Sequence, residues 1–318
     1  MDKDRYHIKE NKQLLQELGQ TFGNVLNRTS MINFIKEAKQ QSNISQIVSF
    51  GIMVRYLVDY LDLFDEIRIY PEGKAPISRY VAKYCVVSPY EIALSLLSNS
   101  FLSHYSALYV NDLTINEPKD IYINREQTAK PKNDSNSKLT QGKIDYAFSK
   151  PMRRTNTVYL FRYKGIMYNV FVLNSKNTKN TGIIKKEPLG FSKAIKVTNL
   201  ERTLIDIVVR PQYSGGFSEI LDAYKKACFE IDLKRIDGYI KKFDYIYPYE
   251  KSILFYLKHT GNQTLFADLN NLWRIKVEDN LDFYLEYQMG NVLLDNELHI
   301  YHPKTGSVAK FPITPDLL

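Results

Sequence analysis

The run "TNLERTLIDIVVRPQYSGG" over residues 198–216 sets Glu201, Arg202, Asp206 and Arg210 among Leu, Ile and Val. Charges of both signs inside an apolar stretch are what acid–base chemistry needs, and equally what an ion-paired helix needs. A second pairing, Ser103 beside His104 in "FLSHYSAL" with Ser106 close by, has the residue types of a nucleophile and its base. Spacing separates the readings. Thr198 and Glu201 make T-x-x-E, a capping box that starts a helix. From there Leu200, Leu204, Ile207 and Val208 share one face, while Arg202, Asp206 and Arg210 stand four apart on another stripe and form an ion ladder. Pro211 stops that helix, and Gly215–Gly216 turns the chain into the next one. Ser103 and His104 are adjacent, and adjacent residues on a helix do not face each other. No G-x-S-x-G elbow is present. Both motifs are therefore expected to cap, pack and pair rather than to catalyse.

Other chemistries find few residues to use. The five histidines (His7, His104, His259, His299, His302) are scattered without H-E-x-x-H spacing. Cys85 and Cys228 lie far apart with no C-x-x-C, which fits a reducing cytoplasm and predicts no structural zinc. No metal, cofactor or catalytic residue is expected. The hairpin expected over 157–174 contains no Asp or Glu, so the acid and E-x-K pattern of many nuclease sites is missing there. The alternative, a metal-dependent nuclease-like or other nucleic-acid-processing enzyme, needs acids that come together only in the fold.

Charge points to a partner. The 318 residues have a net charge of +8, and residues 119–196 alone hold 17 Lys and Arg against 5 Asp and Glu. A block that basic is the footprint of phosphate-backbone contact, so double-stranded DNA is the expected partner. Arg153, Arg154, Lys185 and Lys186 are the candidate phosphate contacts in the block, and Arg55, Arg68, Lys74 and Arg79 the candidates nearer the N-terminus. The start, "MDKDRYHIKENKQ", has no apolar signal region, and "IVSFGIMV" at 47–54 is too short to cross a bilayer. A cytoplasmic protein with no membrane partner is expected.

The elements that position these residues read as α+β. Leu14, Leu15, Leu18, Phe22 and Val25 mark one amphipathic helix, and Met31, Ile32, Ile35 and Ala38 a second. Gly51 sits between two short helical patterns as a turn glycine, and residues 65–84 read as strand, Pro/Gly turn and strand. Residues 1–83 are thus expected to form a winged helix-turn-helix, and 84–318 a mixed α/β domain with a helix-rich C-terminal part. In the latter, Ser88, Pro89 and Glu91 make a capping box that opens a helix. "DIYINRE" is a strand, residues 127–143 are a polar flexible loop, and Lys164–Gly165 is the hairpin turn.

"FLSHYSALYVNDLTINEPKDIYIN" (101–124), followed about eighty residues later by "VTNLERTLIDIVVRPQYSGGFSEILDAY" (197–224), resembles the AbiEi antitoxin family. "YIYPYEKSILFYL" and "HIYHP" extend the resemblance, which runs from about residue 20 to residue 302. Ser103, His104, Ser106, Glu201, Arg202, Asp206, Gly215 and Gly216 are the motif residues that carry it. The resemblance implies an N-terminal winged helix and the antitoxin of a bacterial type IV, AbiE-like toxin–antitoxin system linked to abortive infection of phage-infected cells. It also implies repression of the protein's own operon promoter and opposition to a nucleotidyltransferase-like toxin without a stable complex.

Overall fold

Two helices of the N-terminal region begin where a short polar side chain holds one of their first amides. Asn27 accepts a hydrogen bond from Ser30 N at 2.8 Å, and Ser30 Oγ takes Asn27 N in return. The computed structural model describes residues 6–129, 138–277 and 281–304. It begins with α1 (Lys12–Phe22), β1 (Val25–Leu26), α2 (Arg28–Gln41) and α3 (Phe50–Arg55), which widens into a π turn at Tyr56–Tyr60. The hairpin β2 (Phe64–Pro71) and β3 (Ile77–Ala82) follows. Gly51 is not the turn glycine expected from the sequence. Ser49 caps α3 through Ile52 N, so the turn ends before Gly51 and the glycine is an exposed helical residue.

The Ser88 capping box forms as expected and opens α4 (Pro89–Leu94). Next come β4 (Phe101–Leu102), α5 (His104–Val110), β5 (Asp120–Glu126), α6 (Gln141–Phe148), β6 (Val158–Tyr163), β7 (Ile166–Ser175), β8 (Ile183–Lys186) and β9 (Ile195–Thr198). The β6–β7 hairpin closes at Lys164 and Gly165, both in the left-handed region. Residues 130–137 of the expected flexible loop lie outside the described residues, and its end at 141–143 is instead the first turn of α6.

Nine strands form one mixed sheet in the order β1-β3-β2-β6-β7-β5-β4-β9-β8. β5 runs parallel to β7 and β4 to β9, and the other neighbours are antiparallel. Hydrogen bonding continues across residue 83, because β2 pairs with β6 through Ile69↔Phe161. One apolar core, holding Phe34, Phe64, Ile69, Phe161 and Val170, likewise draws on both sides of that point.

A second core belongs to the C-terminal helices α7 (Leu200–Val209), α8 (Gly216–Ala227), α9 (Leu233–Phe243), α10 (Tyr249–Lys258) and α11 (Gln263–Val277). A small sheet of β10 (Phe283–Tyr284), β11 (Val292–Asp295) and β12 (Ile300–Pro303) closes over them in the order β10-β12-β11. The α+β class and the helix-rich C-terminal part agree with the sequence. Among the described residues no helix is long and apolar enough to cross a membrane.

Candidate functional site

α7 starts one residue later than T-x-x-E implies. Thr198 is still paired with Ile183 in the β8–β9 ladder, so Asn199 becomes the cap and accepts Arg202 N at 3.0 Å. Glu201, released from capping, accepts from Arg235 Nη1 at 3.1 Å and Asp232 N at 3.3 Å. Of the two pairs expected in the ladder, one forms. Arg202 Nε donates to Asp206 Oδ1 at 2.9 Å, but Arg210 stands past the helix end and donates through Nη1 to Arg153 O at 3.0 Å.

Arg202 is 2% exposed and is held from several sides. Its Nη1 donates to Thr178 Oγ1 at 3.0 Å and Thr181 O at 2.9 Å. Its guanidinium lies 4.3 Å from the centre of the Phe243 ring. Glu126 Oε1 stands 3.8 Å away and accepts from the Thr178 hydroxyl, while Glu126 Oε2 accepts from the backbone amides of Thr178 and Asn180. Burial pushes the Asp206 carboxyl above the usual carboxylate range even though Arg202 pulls it down. Burial opposes the Arg202 charge too, but Asp206, Tyr245 and Glu126 together hold its pKa above the ordinary value. Among the described residues, Asp206 Oδ2 has no hydrogen-bond partner.

Ser103 and His104 do touch, contrary to the helical expectation. His104 sits at the junction of β4 and α5 with φ 52°, outside helical geometry, and this brings its Nδ1 to 2.8 Å from Ser103 Oγ. Burial, helped by Arg210 and Arg202, lowers the His104 pKa to about 3, so the ring is neutral near pH 7. Its ring meets that of Tyr213 edge-on at 5.7 Å. Ser106 Oγ accepts Tyr122 N at 2.8 Å and ties α5 to β5. Gly215 adopts φ 82°, and a Cβ there would come within 2.8 Å of both Glu219 and Tyr105, so the turn into α8 requires glycine. Gly216, at φ 78°, follows it as the first residue of α8.

His104, Arg202 and Asp206 line a cleft of about 600 Å³. Its rim holds Arg153 and Arg154, both exposed, and Arg210. Its walls include Tyr213, Tyr245, Tyr247, Tyr249 and Tyr287, and five cations line it against the two carboxylates of Asp206 and Asp244. Tyr213 fixes the rim by accepting Thr155 N at 2.8 Å through its hydroxyl. Glu126, Thr178 and the tyrosines were not singled out in the sequence. Glu126 ends a recognisable strand, but nothing in its local pattern places it beside Arg202.

The remaining candidate cations divide between surfaces. Arg55, Arg68 and Lys74 are exposed on α3, on β2 and at the tip of the β2–β3 hairpin. Arg79 does not join them. It is buried, donating through Nε to Ser95 Oγ at 2.9 Å and through Nη2 to Ser95 O at 3.1 Å, and so serves the core rather than a nucleic acid. Lys185 is exposed on the edge strand β8, beside a second cleft that also holds Arg125, Lys179 and Lys196. Lys186 turns inward to Val110 O at 2.6 Å and Asp112 at 3.8 Å. From β2 to β8 is six strand spacings, roughly 29 Å, so the N-terminal candidates and Lys185 do not share one continuous surface. Among the described residues no three His, Cys, Asp or Glu side chains group so as to hold a metal ion.

No known family model matches the chain, and no curated protein matches it. The fold is similar to the crystal structure of RV2827C protein from Mycobacterium tuberculosis, with a TM-score of 0.53 over 92% of this chain and 90% of that one. The two share 12% sequence identity, so the likeness is one of fold alone.

Proposed function

We propose that the protein is a cytoplasmic DNA-binding repressor of its own promoter and the antitoxin of an AbiE-like type IV pair. The supporting observation is the N-terminal chain order, helix–strand–helix–helix–strand–strand, with β1-β3-β2 antiparallel. That is the order of a winged helix-turn-helix. In this reading α3 is the recognition helix with Arg55 at its end, and the β2–β3 turn bearing Lys74 is the wing. Arg68 on β2, Arg162 on the neighbouring β6 and Lys164 at the next hairpin tip add exposed positive charge nearby. Base readout then belongs to α3 and phosphate contact to the hairpins. The antitoxin half rests on the resemblance of the Ser103–Ser106 and Glu201–Gly216 motifs.

Fluorescence anisotropy with a duplex from the protein's own promoter tests the DNA half. Neutralising about five phosphates gives a slope of log K against log salt of about −4 to −5. Arg55→Ala is expected to reduce the preference for the promoter over an unrelated duplex, and Lys74→Ala to weaken both alike. A salt-independent affinity would overturn the reading. For the antitoxin half, Arg55→Ala, an exposed substitution on α3, is expected to lose promoter repression while leaving rescue of cells expressing the toxin. A co-purifying toxin complex would overturn the type IV assignment.

A further inference from the structure

The cleft beside α7 has three features that helix pairing does not account for. Asp206 Oδ2 is buried without a partner among the described residues, in a side chain that lines the cleft. A buried acceptor left unmade is costly, so a hydrogen-bond donor from outside the chain would satisfy it. At the rim, Arg153 and Arg154 are exposed, and Arg210 is turned toward the same opening by its bond to Arg153 O. Three arginines lining one opening offer the kind of donor that binds phosphate oxygens. Between the two ends stand tyrosine rings and the neutral ring of His104, flat apolar faces suited to an aromatic system. The volume of about 600 Å³ lies within the range of small-molecule sites.

A phosphate, an aromatic ring and an amino donor occur together in one class of small molecule. We propose that this cleft binds a nucleoside 5′-phosphate with an amino-bearing base, its phosphate between Arg153, Arg154 and Arg210 and its amino group toward Asp206 Oδ2. Adenine and cytosine carry such an amino group. The same chemistry is presented by a free nucleotide or by the 5′-phosphorylated end of a strand. The site is separate from α3 and the β2–β3 hairpin, so it stands whether or not those elements bind DNA.

Isothermal titration of the full-length protein with adenosine or cytidine 5′-monophosphate, and with a short 5′-phosphorylated oligonucleotide, tests this. One of these sources is expected to bind at a single site, and which one binds identifies the source. Purine riboside 5′-phosphate, which lacks only the amino group of the adenine nucleotide, is expected to bind at least about tenfold more weakly, as is inorganic phosphate. The double variant Arg153→Ala/Arg154→Ala removes two exposed side chains, so it is expected to keep its melting temperature and lose at least about tenfold in affinity. The proposal is overturned if neither source binds, if inorganic phosphate binds as tightly as the nucleotide, or if the double variant binds like the wild type.

Discussion

Glu201 and Arg202 are neighbours on α7, yet they face opposite surroundings. Arg202 and its partner Asp206 are 2% and 7% exposed, and both ions lie away from solvent. Glu201 is equally buried, but its partner Arg235 is 49% exposed and reaches in from α9. The two pairs look alike on paper and differ in what their loss leaves behind. Removing Arg202 leaves the buried Asp206 carboxylate without its partner, whereas removing Arg235 leaves Glu201 with the Asp232 amide. A salt bridge on a helix therefore says little about stability until the burial of both partners is known.

The largest effect is expected from Arg202→Met, which keeps the apolar stem and removes the charge. With Asp206 left without its guanidinium partner and Glu126 without its nearby cation, denaturant unfolding is expected to show a loss of about 3–5 kcal/mol. A loss below about 1 kcal/mol would mean that the cleft-facing pair behaves like an exposed one, and the contrast would collapse.

The second prediction uses acid, because only the cleft side holds a depressed histidine. His104 has a folded pKa of about 3 against an ordinary value near 6.5, so below neutrality the unfolded chain takes up a proton that the folded one refuses. The stability associated with neutral His104 is complete above about pH 6.5 and is lost as pH falls toward 3. At pH 4 the loss is about 3 kcal/mol. His104→Asn, a residue that tolerates left-handed backbone, is expected to flatten this part of the pH–stability curve. An unchanged curve would place the acid sensitivity elsewhere.

The smallest effect is expected from Arg235→Ala. The melting temperature is expected to fall by less than for Arg202→Met, and the difference from wild type to shrink as salt rises, because half of this pair is in water. A fall as large as that of Arg202→Met would erase the distinction between the two faces.

Local sequence rules recovered what local forces decide. The Ser88 box, the Lys164–Gly165 turn, the Gly215–Gly216 turn and the i,i+4 pair of Arg202 with Asp206 all depend on residues within a few positions of one another. The errors came where a distant partner overrides the local rule. Thr198 would cap α7, but its ladder with β8 holds it as a strand residue. Arg79 lies between exposed-looking neighbours, and only the approach of Ser95 buries it. Arg210 fits the ladder by spacing, yet the helix ends first and its side chain takes the carbonyl of Arg153. The cleft was the least legible feature, since its rim, floor and walls come from widely separated stretches of the chain, from residue 104 to residue 287.

The strand order of the large sheet also sets a timetable for synthesis. β6 begins 87 residues after β2 ends, yet the two are neighbours in the finished sheet. On a ribosome adding about 5–20 residues per second, the β2 edge waits roughly 4 to 17 seconds for its partner. An unpaired edge is a template for a strand from another chain. β2 offers Glu66, Arg68 and finally Pro71, two exposed charges and a residue with no amide hydrogen to donate. These residues discourage a foreign strand from docking while leaving Ile69, Tyr70 and Pro71 to pair with β6 when it emerges.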